Sequence, residues 1–382
     1  MTSAQQLLAL NLGSATIKAA LYEWRPNGAS AELTRRGDRL ELPLSSEGDR
    51  GEDGTALLDR ITSLLPADAI PPDVIVHRIV HGGPFAAPAL LTEEVVTALS
   101  AYADMDPLHQ AASLKLVEAS RARWANAQCV AAFDTTWHRT LANWSRRLPI
   151  PQSLHDAGIQ RYGFHGLAFQ SAMRQVQRLD KTAGQQRIVL AHLGAGSSLC
   201  AVYQGLSVDT TMGLTPLDGL PMATRCGTLD PGVILYLERK MAMPAATIER
   251  MLWRESGLLG VSGFSGDMRK LLAASDASSR LAVELFVMRV AQGIAAMATG
   301  LRGFDAIIFT GGIGSHSPVI RQRVADTLEW TGLRIDREKN RSGAVRLDAK
   351  GSSAKIWAIA VDEEYELAVA GVTAVGPAPT YR

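Results

Sequence analysis

The sequence predicts an α/β protein made of two duplicated domains. Short apolar runs rich in β-branched residues alternate with longer stretches of helical periodicity, which is typical of α/β proteins. A segment near the N-terminus is repeated near the middle of the chain, so we expect a duplication. The length of 382 residues exceeds one ordinary hydrophobic core and favours two domains.

The apolar runs are the predicted strands, and they lie at 7–12, 74–80, 129–133, 187–193, 306–312 and 354–361. The stretch at 281–301 has apolar residues at intervals of three and four, which predicts a helix. The polar stretch SSEGDRGEDG at 45–54 predicts a surface loop.

The duplication rests on two glycine-containing segments, LLALNLGSATIKAALY and VLAHLGAGSSLCAVY. The second fits neither a P-loop nor a dinucleotide-binding fingerprint. Aligning Gly13 with Gly194 without a gap pairs Asn11 with His192, Thr16 with Ser197 and Tyr22 with Tyr203. Both segments predict a strand, a glycine turn and a second strand. A chance likeness between two ordinary hairpins is the alternative.

Two such hairpins can offer backbone N–H groups and hydroxyls to a polyphosphate. Two similar domains with a cleft between them are the arrangement of the sugar kinase, heat-shock ATPase and actin group. We therefore expect an active site in an interdomain cleft. The predicted N-terminal domain comprises residues 1–145 and 366–382, and the predicted nucleotide-binding domain comprises residues 146–365.

Composition excludes several classes of function. A formal net charge of +1 gives no electrostatic footprint for nucleic acid or an anionic membrane. Cys129, Cys200 and Cys226 show no metal-binding or disulfide spacing, which favours reduced, buried thiols. The N-terminus lacks a signal-peptide pattern, and no apolar stretch is expected to reach the length of a membrane span. We expect a cytoplasmic protein with no nucleic-acid or membrane partner.

Polar residues among glycines and prolines follow the apolar runs, in loops where α/β proteins hold ligands. These segments read HRIVHGG (77–83), DPLHQAASL (106–114), AAFDTTWHRTL (131–141), RYGFHGLAF (161–169), VDTTMGLTPLDGLPMATRCGTLDPG (208–232) and FTGGIGSHSP (309–318). Together with NLGSATIK and VDEEYELA, they resemble the motifs of the acetate kinase (acetokinase) family, in family order. The resemblance extends from about residue 8 to residue 370.

This resemblance implies reversible phosphoryl transfer between ATP and a short-chain carboxylate, which gives ADP and an acyl phosphate. Because the carboxylate is already ionised near neutral pH, no general base is needed, and cations and positioning should supply the catalysis. The implied catalytic residues are Arg78 for the carboxylate, Arg225 and His165 for the transferring phosphoryl group, His109 in support, and Asp134. Asn11, Asp134 and Glu363 would place Mg²⁺ or Mn²⁺, although Asp362 or Glu364 could replace Glu363.

Four residues match the family's acyl pocket, Val80, Leu108, Phe164 and Pro216, and core packing is the alternative for each of them. A small apolar pocket favours acetate, with propionate close behind. The implied nucleotide-binding residues are Ser14, Thr16, Lys18, His192, Gly194, Gly196, Ser197, Asp267, Met268, Arg269, Gly311, Gly312, Ile313 and Gly314. The family commonly forms homodimers, so we expect one here.

Several positions depart from the family pattern. They are Ala195, Gln110, Leu167-Ala168-Phe169, Thr228 and Ser315-His316. A propionate or butyrate kinase, a nucleotide-gated ATPase or binding module of the same fold, and a non-catalytic homologue are therefore alternatives. The pair of Arg78 and Arg225 favours a kinase over a gated ATPase, because a water nucleophile needs no carboxylate clamp.

Overall fold

A computed structural model describes residues 4–13, 16–27, 30–44, 54–66, 71–107 and 109–376. The chain forms two compact units, one of Met1–Thr136 with Asp362–Arg382 and one of Trp137–Val361. The domain boundaries expected from the sequence, after residues 145 and 365, differ somewhat from these limits and stay a prediction. The loop expected at 45–54 lies outside the described residues, except that Gly54 is buried and begins a helix.

The first unit is a sheet with helices. Its strands are β1 (Gln5–Leu12), β2 (Thr16–Asn27), β3 (Ser30–Pro43), β4 (Val74–Ile79), β5 (Ala89–Leu90) and β6 (Gln128–Phe133), in the order β3-β2-β1-β4-β6-β5. Its helices are α1 (Gly54–Thr62), α2 (Glu93–Ser100), α3 (Gln110–Arg123) and, at the end of the chain, Glu363–Val375, with a 3₁₀ turn at Ala103–Met105. Strands β1, β4 and β6 are parallel, whereas β2 and β3 form an antiparallel extension.

The second unit is also a sheet with helices. Its strands are β7 (Arg187–Leu193), β8 (Ser197–Tyr203), β9 (Leu206–Thr210), β10 (Ala306–Thr310) and β11 (Lys355–Ala358), in the order β11-β10-β7-β8-β9. Its helices are α4 (Asn143–Arg146), α5 (Gln152–Asp156), α6 (Gly166–Leu179), α7 (Pro231–Lys240), α8 (Ala245–Arg254), α9 (Gly257–Ser262), α10 (Met268–Ala273), α11 (Ala277–Leu301), α12 (Gly311–His316), α13 (Pro318–Thr327) and α14 (Arg337–Ser342). Three 3₁₀ segments complete the chain, at Asp134–Thr140, Ala183–Gln185 and Glu329–Thr331, and the helix Glu363–Val375 is α15.

The two sheets share one topology, as a duplication predicts. In each, an antiparallel hairpin (β1–β2 or β7–β8) is extended by a third antiparallel strand (β3 or β9). The first strand of each hairpin continues into two parallel strands, β4 and β6 or β10 and β11. The same strand order and directions support the duplication over chance likeness.

The ungapped alignment is wrong after the turn. Leu12 pairs with Ile17, whereas Leu193 pairs with Ser197, so the first turn is longer by one residue. Because side chains alternate along a strand, one residue exchanges the faces. Tyr22 is accordingly 1% exposed, whereas Tyr203 is 44% exposed.

Helix α11 is the central helix of the second unit. Its residues Val283, Phe286, Val290 and Ile294 are buried against β7, β8 and β10 in one hydrophobic cluster. The helix is long and apolar enough to span a membrane by length and composition, with a mean hydropathy of 1.6 in its most apolar window. The expectation that no apolar stretch reaches that length is therefore wrong. The reason is that a helix in contact with a sheet and with other helices is apolar on several sides.

Candidate active site

The first unit places a buried arginine among acidic groups at the ends of its parallel strands. Arg78, at the end of β4, donates to Asp134 Oδ2 from Nη2 at 2.6 Å and from Nε at 3.2 Å. Its Nη1 donates to Asn11 Oδ1 at 3.1 Å. Burial by itself would lower the pKa of Arg78, but the charges of Asp134 and Glu363 outweigh it and raise that pKa above its ordinary value. Arg78 is therefore a permanent, held cation.

Asn11 links this arginine to the start of helix α15. Its Nδ2 donates to Glu363 Oε2 at 2.8 Å and to Glu364 Oε1 at 2.7 Å. Burial, and then the charge of Glu363, raise the pKa of Glu364. Asp362 instead caps the helix by accepting from the Tyr365 N–H and pairs with Arg35. Both glutamates thus contact Asn11, and Asp362 has a structural role.

The oxygen donors in this group suit a hard divalent cation. Asp134, Glu363 and Glu364 bring three carboxyl groups near one arginine, and Asn11 adds an amide oxygen. Within the described part of the chain, no group of three His, Cys, Asp or Glu side chains forms a ready metal cage. Mg²⁺ needs none, because it retains several waters and binds one or two protein carboxylates together with substrate phosphates. The residues therefore fit the ion.

His109 and Gln110 are buried at the start of helix α3. The His109 Nδ1 lies 2.8 Å from Asp106 Oδ1, and the Asp106 side chain is fully buried. Gln110, a departure from the family pattern, donates to the carbonyls of His81 and Leu99 and accepts from the His81 N–H. It therefore fixes the backbone of the loop that follows Arg78.

Other predicted residues of this unit lie in or beside the first hairpin and the sheet. Gly13 donates its N–H to the Thr16 carbonyl at 2.9 Å and so closes the turn. Lys18 lies opposite Asn11 on β2, is half-buried, and lowers the pKa of Glu364 against the effect of burial. Val80 is buried. Ser14 and Leu108 lie outside the described residues.

The second unit contains the other hairpin, β7–β8. The Ser197 hydroxyl is buried; it accepts from the Gly194 N–H at 3.2 Å and donates to the Gly194 carbonyl at 3.1 Å, so it stabilises the turn itself. Ala195 is exposed at the tip, and its carbonyl accepts from the Ala223 N–H. The backbone of this turn, more than its hydroxyls, is therefore what it can offer to a phosphate.

His165 stands beside this turn. Its Nδ1 lies 2.8 Å from Ser198 Oγ, and its ring lies 4.5 Å from the His192 ring between centroids. It precedes helix α6 in a left-handed conformation, with φ at 60° and ψ at 25°. Phe164, one residue earlier, is buried. Sequence reasoning did not assign a role to Ser198, although the hairpin containing it was recognised.

Arg225 approaches the same turn. The guanidinium lies 5.4 Å from the Trp253 ring centroid, and its Nη1 donates to the buried Pro216 carbonyl at 3.1 Å. A Cβ built on Gly196 would lie 3.0 Å from His165 Nε2 and 3.8 Å from Arg225 Nη1. The imidazole and the guanidinium therefore converge on the backbone of Gly196, where a phosphoryl group can approach.

The glycine segment expected to bind the nucleotide also lies beside this hairpin. Strand β10 ends at Thr310, earlier than the predicted 312, because Gly311 has φ of 79° and begins helix α12. A Cβ on Gly311 would lie 2.5 Å from the Leu193 carbonyl oxygen, and one on Gly194 would lie 3.6 Å from Gly312 N. Ile313 packs partly against the core and Gly314 is buried.

The segment at 267–269 is connected to the hairpin through Ala223. Asp267 caps helix α10 and pairs with Arg269, a hydrogen bond that lowers the pKa of Asp267. Met268 is buried in the core of the unit. The neighbouring Gly266 packs on the Ala223 carbonyl, and Ala223 bonds the turn at Ala195. The exposed Arg269 is thus a candidate for contact with the nucleotide, whereas the Met268 side chain is a core residue.

The remaining departures have structural partners. Thr228 donates to Asp218 Oδ1 at 2.9 Å, and Ser315 donates to the Ile359 carbonyl at 2.8 Å. His316 is exposed at the end of α12. Leu167, Ala168 and Phe169 are buried on helix α6. None of these substitutions disturbs His165 or Arg225.

Comparisons with known proteins give one consistent result. The model of the acetokinase family matches residues 6–370. An acetate kinase from Rhodopseudomonas palustris is 41% identical over 388 aligned residues, covering 95% of this chain and 96% of the relative. A propionate kinase from Francisella tularensis (TM-score 0.83, 31% identity, 97% and 100% of the two chains) and the Porphyromonas gingivalis acetate kinase (TM-score 0.81, 28% identity, 97% and 99%) have similar structures. The chain belongs to the acetokinase family.

Proposed function

We propose that this kinase transfers the γ-phosphoryl group of ATP to acetate, reversibly and by direct in-line displacement. One carboxylate oxygen bonds to the γ-phosphorus as the bond from that phosphorus to the bridging oxygen of ADP breaks. No proton moves, because acetate is already ionised near neutral pH. The products are acetyl phosphate and ADP.

The observation that carries this proposal is the convergence of His165 and Arg225 on the phosphate-hairpin backbone at Gly196. In-line transfer from ATP to an anion needs positive charge and hydrogen-bond donors at the equatorial oxygens. Arg225 supplies charge through a planar guanidinium, and His165 Nε2 supplies a donor. Held by Asp134 and Asn11, Arg78 supplies the second cation, for the acetate carboxylate. His109, fixed by Asp106, supports the site.

Asn11, Asp134 and Glu363 would hold Mg²⁺, directly or through water. The ion supplies charge neutralisation at the phosphate oxygens when bound. Lys18, Thr16, the backbone of Gly194 and Gly196, and the segment Gly311–Gly314 would contact the nucleotide.

Propionate is the second candidate substrate, because one of the similar solved structures is a propionate kinase. Val80, Phe164 and Pro216 are apolar and buried, as residues lining a small acyl site would be. One methylene is worth about 1–3 kcal/mol in such a site, so we expect acetate to be preferred by tenfold or somewhat more.

Hydroxylamine trapping tests the reaction. The enzyme, ATP and Mg²⁺ are incubated with acetate, propionate or butyrate, and the hydroxamate is measured. We expect the ratio kcat/KM to fall in that order and EDTA to abolish the product. ADP release without hydroxamate from any of the acids would instead indicate a nucleotide-gated ATPase, and ATP binding without turnover would indicate a non-catalytic homologue.

We also propose that the protein is a cytoplasmic homodimer and that helix α7 takes part in the contact between two copies. Val233, Ile234, Leu235 and Tyr236 on this helix are all exposed, and no residue of the helix is buried. An isolated ten-residue helix with this composition needs an apolar partner. Ile234→Arg should convert the dimer to monomer in light scattering, whereas Trp330→Arg, at an exposed tryptophan elsewhere, should leave it unchanged.

A further inference from the structure

A second buried histidine contacts the peptide bond that precedes His165. His138 lies in the 3₁₀ segment Asp134–Thr140 and is fully buried. Its Nε2 lies 2.9 Å from the Phe164 carbonyl oxygen, and its Nδ1 lies 2.8 Å from Ser207 Oγ. Because a carbonyl only accepts, Nε2 carries the proton, and Nδ1 must accept from the Ser207 hydroxyl. Burial lowers the pKa of His138 to about 4, so the ring is neutral at neutral pH.

This contact acts where the backbone is under strain. A left-handed conformation such as that of His165 costs a residue other than glycine about 1–2 kcal/mol. Gly163 allows the close approach, because it has φ of 75° and a Cβ there would lie 2.6 Å from the His138 ring. The bond from His138 to the Phe164 carbonyl holds the peptide that enters this strained turn.

Ser198 contacts the His165 ring from strand β8. If Nε2 is to donate to a phosphoryl oxygen, Nδ1 must accept, and the Ser198 hydroxyl is then the donor. Two residues further along the same strand, Cys200 Sγ lies 3.3 Å from Ser207 Oγ. Strand β8 therefore reaches His165 at two points, directly at the ring and through Ser207 and His138 at the backbone.

We propose that Ser198 and His138 are positioning residues for His165. Ser198 selects the ring tautomer that carries its proton on Nε2, and His138 holds the left-handed backbone through the Phe164 carbonyl. The inference rests on the proposed function only for the role of His165, since the tautomer can be measured without turnover.

The first experiment reads the tautomer by ¹⁵N NMR of the histidine rings. The His165 signals are assigned by their loss in His165→Asn. We expect the Nε2–H form in the wild type and in Ser198→Thr, which keeps the hydroxyl, and a mixture of tautomers in Ser198→Ala. An Nδ1–H ring in the wild type, or an unchanged spectrum in Ser198→Ala, would overturn the role of Ser198. This result is independent of whether the protein makes acetyl phosphate.

The second experiment separates kcat from KM in the hydroxamate assay. Loss of one positioning hydrogen bond should lower kcat about tenfold in Ser198→Ala and leave both KM values within about twofold. His138→Phe, which keeps the ring but loses the donor, should lower kcat further, and His138→Gln, which keeps a donor, should recover part of it. Ser120→Ala removes a buried hydroxyl from helix α3 and should have wild-type kinetics.

Parallel rises in KM with kcat unchanged, or equal losses in His138→Gln and His138→Phe at equal thermal stability, would overturn the positioning role. Should His138→Phe fail to fold, the Ser198 pair alone decides whether strand β8 positions the ring. Absence of hydroxamate from the wild type would overturn the proposed reaction, and the ¹⁵N result would still settle the tautomer.

Discussion

Adding one methyl group at Gly196 should disable the enzyme without unfolding it. The Cβ of Gly196→Ala would lie 3.0 Å from His165 Nε2, whereas ordinary contact begins at 3.4 Å. The His165 ring must therefore retreat by about 0.4 Å, the difference between those two distances. It cannot do so freely, because Nδ1 is bonded to Ser198 and the His192 ring lies on one side.

The expected kinetic effect is large because the methyl group also covers Nε2, the atom proposed to donate to the phosphoryl group. A displacement of this kind at a reacting centre can cost about 10–100-fold, and we expect kcat to fall by that factor. Gly196 is not among the residues with positive φ, so alanine is compatible with its backbone. The free energy of unfolding should change by less than about 1 kcal/mol.

The assay is hydroxamate formation from acetate, with the thermal unfolding midpoint measured on the same preparation. Gly184→Ala is the matched control: its Cβ would lie 3.3 Å from the flexible Gln177 side chain, and no effect is expected. A Gly196→Ala protein with kcat within twofold of the wild type would refute the convergence of His165 on this turn as the basis of catalysis.

Three further predictions concern Arg225, Arg321 and His77. Arg225→Lys should lower kcat at least about tenfold in the hydroxamate assay, because an ammonium cannot reproduce the planar guanidinium that spans Trp253 and the Pro216 carbonyl; near-normal turnover would remove Arg225 from the mechanism. Arg321 is fully buried and donates to the carbonyls of α12 and to Asn340, so Arg321→Met should cost about 2–4 kcal/mol of unfolding free energy in a urea titration; a loss below about 1 kcal/mol would contradict this. Burial lowers the pKa of His77 to about 3, so the native state stays neutral while the unfolded chain gains a proton below about pH 6.5; stability is retained above that pH and lost as the pH falls toward 3, with a slope of up to about 1.4 kcal/mol per pH unit. His77→Leu should make this acid limb shallower by about that slope, and an unchanged limb would show that His77 is not its source.

Strands and motif positions were predictable because they depend on local pattern. The apolar run at 187–193 is β7 with the same limits, since buried parallel strands are continuous hydrophobic segments. The run at 306–312 ends early because Gly311 has a positive φ and begins a helix, which an apolar count does not detect. The register error at the first hairpin has a similar origin. Only the paired strands reveal how many residues a turn contains.

Partner side chains were harder to predict because they come from distant positions. Ser198 lies 33 residues from His165, and nothing in the spacing connects the two. Asp106 was within reach of sequence reasoning, since an acidic residue three positions before His109 is a common arrangement for holding an imidazole. The choice between Glu363 and Glu364 could not be made from letters alone, because both side chains reach Asn11.

The unequal turns of the two hairpins suggest how duplicated halves can diverge in chemistry with little change in fold. In the first half Lys18 lies opposite Asn11, and in the second Ser198 lies opposite His192. A single inserted or deleted codon in the turn is enough to give the whole following strand a new set of neighbours, while both sheets keep their strand order. One ancestral hairpin could thereby supply a cation beside an acidic cluster in one copy and a hydroxyl beside an imidazole in the other. Turn length is, in this sense, an evolutionary control on which functional groups meet.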